Sequence, residues 1–128
     1  MTLSLRHIWA LTAVLAVLAV TGCGGDDEND KFVDEANQVC VDSKKEIEAA
    51  KGPEELMAAG DKFISRLKAV EAPSDKQDTY NEVVEANEKF FDEFKKALRS
   101  RDEARIDALD DSVGDEQAKE LGLDDCVG

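Results

Sequence analysis

The chain has 128 residues with 16 Lys plus Arg against 30 Asp plus Glu, a formal net charge of −14. The length suits one domain with one core, and the acid excess repels nucleic acid and anionic lipid headgroups, so no nucleic-acid partner is expected. A charged fraction of 36% with 5% aromatics approaches a disordered composition, yet the apolar residues recur at helical spacing, which predicts a folded domain.

Arg6 and His7 open the chain with a short positive region, and residues 8–20 are almost wholly apolar before Thr21 and Gly22. That is the layout of an export signal. The run is too short for the roughly 20 residues of a permanent spanning helix, which disfavours an uncleaved anchor. With no twin arginine, the general secretory route is expected.

Val20-Thr21-Gly22-Cys23 resembles the lipobox of bacterial lipoproteins, an aliphatic residue and two small ones before a cysteine. The resemblance implies removal of residues 1–22 and acylation of Cys23 through its thiol, with palmitate-type chains. It also implies attachment to the extracytoplasmic face of the cell membrane, where two or more acyl chains anchor stably. The alternative is an ordinary secretory signal that happens to end at a cysteine. Only Arg6 among the charged residues precedes Cys23, so the mature chain carries 15 basic against 30 acidic side chains. Residues 24–30, with Gly24, Gly25 and no apolar side chain, are predicted to be a flexible acidic tether, and 31–128 the domain.

Three cysteines leave an odd one in an exported protein, but acylation of Cys23 leaves Cys40 and Cys126 as a pair for an oxidising compartment. Two unpaired thiols are the alternative. Redox catalysis is not expected, because the two are distant in sequence and no neighbour lowers a thiol pKa.

The spacing predicts a first helix over 31–51, capped by Asp30 and ended by Gly52-Pro53, with Phe32, Ala36, Cys40, Ser43, Ile47 and Ala50 inward. A second helix begins at Pro53 and stops before Pro73, burying Leu56, Ala59 or Gly60, Phe63, Ile64, Leu67 and Val70. Ser74 and Gln77 have capping-box spacing for a third, whose stripe carries Tyr80, Val83, Val84, Asn87, Phe90, Phe91, Phe94 and Leu98. A fourth begins at Ser100 or Asp102, carries Ile106, Leu109, Val113, Ala118 and Leu121, and ends at Gly122. No segment alternates as a strand does. The expected fold is all-α, an up-down four-helix bundle with its tail clipped to the first helix, an even helix number being what returns Cys126 to Cys40.

The segments 35–40 and 121–126 resemble those of small, largely uncharacterised actinobacterial secreted or lipid-anchored helical proteins. That resemblance implies a disulfide-clipped bundle and no activity.

The only His, His7, and the only Trp, Trp9, precede Cys23, so His-based triads, acid–base pairs and His-containing metal sites are not expected in the mature chain. No glycine-rich phosphate loop is present, and no cofactor is expected. Asp107, Asp110, Asp111 and Asp115 lie at helical spacings where a divalent cation could relieve repulsion, but Leu109 stands where an EF-hand needs its first ligand. A ligand between helices would fall near Phe63, Tyr80, Asn87 and Phe91. The expectation is a noncatalytic cell-envelope lipoprotein whose bundle serves protein interaction or a structural role. A small-ligand or cation-binding lipoprotein is the alternative.

Overall fold

The computed structural model describes residues 24–128, so the export signal and Cys23 lie outside the described residues. The fold is all-α: α1 (Gly24–Ala49), α2 (Pro53–Ala69), α3 (Gln77–Ser100), α4 (Glu103–Asp107), α5 (Asp115–Glu120) and a closing 3-10 turn (Asp124–Cys126). No strand occurs among the described residues.

α1 begins at Gly24, so residues 24–30 are helical and not the expected tether, and Asp30 lies inside the helix instead of capping it. Two forces favour the extension. Asp27 and Glu28 place negative charge near the positive helix N-terminus, and the Asn29 side-chain oxygen accepts from the Lys76 ammonium just before α3. The helix stops at Ala49, two residues short of expectation, because Gly52 and Pro53 already organise α2. Gly52 is its extended N-cap residue, and the Glu55 carboxylate reaches back to accept from the Lys51 N–H at 2.9 Å.

α2 ends with Val70 in extended geometry, three residues before Pro73. The capping box expected at Ser74 is not made. Residues 74–76 form a turn, and α3 starts at Gln77 behind Lys76, without a side-chain cap. At its far end Arg101 does what a glycine usually does: it adopts φ 53°, and the Asp102 N–H returns to the Ala97 carbonyl at 3.0 Å. Asp102 then caps α4, its carboxylate accepting from the Arg105 N–H at 3.0 Å.

The expected fourth helix is broken into α4 and α5 by residues 108–114. The cause is local competition for the backbone. Asp110 accepts from both the N–H and the hydroxyl of Ser112, at 3.0 and 2.6 Å, closing a turn that a helix would have to open. Gly114 then takes φ 82°, outside the helical region.

The packing order explains why the clip still forms. α1 packs on α2, α2 on α3, α3 on α5, and the 3-10 turn back on α1. The broken C-terminal leg therefore fills the fourth position of the bundle. The core comprises Phe32, Ala36 and Cys40 of α1, Leu67 and Val70 of α2, and Tyr80, Val83 and Val84 of α3. Ala118, Leu121 and Leu123 complete it from the C-terminal leg. Leu123, fully buried, follows a Schellman ending in which Gly122 takes φ 76° and the Leu123 N–H bonds the Ala118 carbonyl at 2.9 Å. Ile106, Leu109 and Val113, assigned inward by the helical spacing, stay half-buried outside that cluster.

Candidate interaction groove

Cys40 and Cys126 are joined, with an S–S distance of 2.00 Å and Cα atoms 5.1 Å apart. Cys40 is buried on the inner face of α1. The tail is also held by its neighbours. Asn37 donates to the Gly122 carbonyl at 3.4 Å and accepts from the Asp125 N–H at 3.1 Å, while Lys44 donates to the Val127 carbonyl at 3.0 Å.

The residues proposed for a ligand between helices each have partners within the protein. Tyr80 is buried, and its hydroxyl donates to the Leu67 carbonyl at 2.8 Å. Burial pushes its phenol well above the ordinary value of 10.0, because the charged form would lose its hydration. Asn87 donates to the Val83 carbonyl one turn back in its own helix, at 2.9 Å, so it is a satisfied boundary amide. The Phe63 and Phe91 rings meet edge to face with centroids 5.8 Å apart. Phe91 also lies directly over Gly60, where an added Cβ would stand 2.5 Å from its ring. Tyr80 and Phe91 are buried, and Phe63 and Asn87 are half-buried beside them.

The acidic residues do not form a helix-face row. Asp110 is committed to Ser112, and Asp115 accepts from the Gly128 N–H at 3.1 Å. Among the described residues no group of three or more His, Cys, Asp or Glu is placed to hold a metal ion. The carboxylates that depart from ordinary behaviour are shifted downward. Lys62 and Arg66 lower Glu46, Lys96 and Arg105 lower Glu93, and Ser112 lowers Asp110. Exposed ion pairs lower Glu46 and Glu93, and hydrogen bonds donated to the charged form lower Asp110, whereas a catalytic acid needs a carboxyl raised by burial.

Sequence reasoning missed a groove of about 520 Å³ between α3 and the 108–114 linker. Its floor is Ala86 and Phe90 of α3 with Leu109 and Val113 of the linker, all half-buried. Its rim carries Glu82, Glu85, Glu93 and Asp110 against the single cation Lys89. Glu93 is paired with Lys96 and Arg105, while Glu82 and Glu85 make no ion pair among the described residues. The Phe90 and Phe94 rings lie nearly parallel with centroids 6.1 Å apart, extending the aromatic surface along α3. The signal was present in the sequence as apolar Leu109 and Val113 beside Asp110 and Ser112, a helix stripe interrupted by turn-forming residues.

No family model, curated protein or solved structure matches this chain. Function therefore has to be argued from its own residues.

Proposed function

We propose that the chain is an exported, lipid-anchored cell-envelope protein that works by binding another protein and carries out no catalysis. The observation that carries this reading is the pairing of Cys40 with Cys126, since such a bond persists in an oxidising compartment. The pairing also leaves Cys23 as the remaining cysteine, in a lipobox-like setting at the end of an export-signal pattern. The short spacing between Cys23 and α1 supports a domain held close to the membrane face. Protein binding is supported by the half-exposed apolar floor of the groove. The lack of His after Cys23 and the downward-shifted carboxylates argue against acid–base catalysis.

Metabolic labelling with a fatty-acid analogue and cell fractionation test the anchor. The native protein should take up label and sediment with membranes, and Cys23→Ala should lose the label and accumulate unprocessed or soluble. A Cys23→Ala protein that keeps both label and membrane attachment would sink the reading.

A further inference from the structure

We infer that the groove between α3 and the 108–114 linker docks a basic amphipathic helix, about three turns long, of an envelope protein. This deepens the protein-binding reading above and rests on it. Three observations fix the occupant.

The first is shape. From Glu82 to Glu93 the groove follows α3 for about 16 Å, the length of three helical turns. A helix laid alongside would place one apolar face on Phe90, Leu109 and Val113, whose side chains the broken fourth leg leaves half-exposed.

The second is charge. Glu82, Glu85 and Asp110 place carboxylates along the apolar floor. A helix with Lys or Arg beside its apolar face satisfies both parts, whereas a second copy of this chain, formally −14, meets repulsion. The third is accessibility. Asn29 and Phe32 of α1 meet Lys76, just before α3, and Tyr80 in its first turn, so both helices start at the same end of the bundle. The groove opens about 8 Å further along α3 and runs away from that end. With the chain anchored just before α1, the groove lies along the flank of the domain.

The probe is a fluorescein-labelled Leu–Lys peptide of about three helical turns, titrated by anisotropy onto the full lipidated protein in neutral detergent, with protein-free micelles as blank. A scrambled peptide of the same composition has the same charge and no apolar face, and should bind about tenfold more weakly. Phe90→Glu and Val113→Asp should each weaken the amphipathic peptide about tenfold, with helix content checked by circular dichroism. Both substitutions add negative charge, so simple attraction between opposite charges would become stronger. Ala58→Glu, exposed on α2, serves as the charge-matched control and should leave the groove affinity unchanged. In cells, a photocrosslinking residue at position 113 should capture a protein segment that is basic and amphipathic. Equal binding of the scrambled peptide, undiminished binding by both groove variants, or crosslinks only to a second copy of the chain would overturn the assignment. Because peptide binding does not read the lipid and fatty-acid labelling does not read the groove, the two proposals fail separately.

Discussion

Breaking the Cys40–Cys126 bond by Cys126→Ser, or by a phosphine reductant, should cost the domain much stability while leaving its helices in place. The two cysteines are separated by 86 positions, and closing a loop of that size in the unfolded chain corresponds to about 4.6 kcal/mol on the chain-entropy model. Against a total of roughly 5–15 kcal/mol, that is a third or more of the stability of a small domain. For about 105 residues it translates to a fall in Tm on the order of 20 °C. The native tail should stay docked, because Leu123 is fully buried and Asn37 holds both Gly122 and Asp125 without the bond. Urea unfolding followed by circular dichroism measures this, and the reduced protein should also show a larger m-value, since its unfolded state exposes more surface. Leu123→Ala provides the contrast: it should cost about 2–5 kcal/mol by leaving a cavity in the native core, with m unchanged. A loss below about 1 kcal/mol on reduction, or collapse of the helix signal without denaturant, would refute the entropic argument.

Tyr80 is the only tyrosine, so absorbance near 295 nm reads it alone. Its folded pKa is raised, so the stability it contributes is complete below about pH 10 and is lost as pH rises further. Ionisation should therefore coincide with alkaline unfolding, and a phenol that titrates normally while the helices persist would contradict its burial. Gly60→Ala should destabilise by about 1–2 kcal/mol despite the better helix propensity of alanine, because Phe91 occupies the space of the new methyl; a gain in Tm would show that the helices separate freely. Arg101→Gly should be neutral or stabilising by up to about 1 kcal/mol, since φ 53° strains a side chain and suits glycine. A clear loss in thermal unfolding would mean that the Arg101 side chain contributes more than its backbone costs.

The sequence by itself determined the three long helices and most of their inward faces, because the apolar spacing along each is uninterrupted and Pro53 and Pro73 mark the breaks. It also placed Cys40 on the inward face, while the pairing with Cys126 stood beside the alternative of two free thiols until the structure joined them. Tertiary structure decided how the return is made. The spacing of Ile106, Leu109, Val113, Ala118 and Leu121 fits one helix, but the Asp110–Ser112 turn and Gly114 break it. Only the packing of α5 on α3 and the 3-10 turn on α1 shows that two short helices fill the same position. Residues 24–30 erred the other way: without apolar side chains they read as a tether, yet α1 extends through them and Asn29 meets Lys76 from a distant part of the chain. The groove belongs to the same class of feature. Phe90 and Leu109 are each ordinary amphipathic residues in sequence, and they become a shared half-exposed surface because the linker crosses α3 without burying them. Periodicity reports what one segment does alone, whereas caps, breaks and grooves depend on hydrogen bonds and contacts between residues that sequence spacing does not relate.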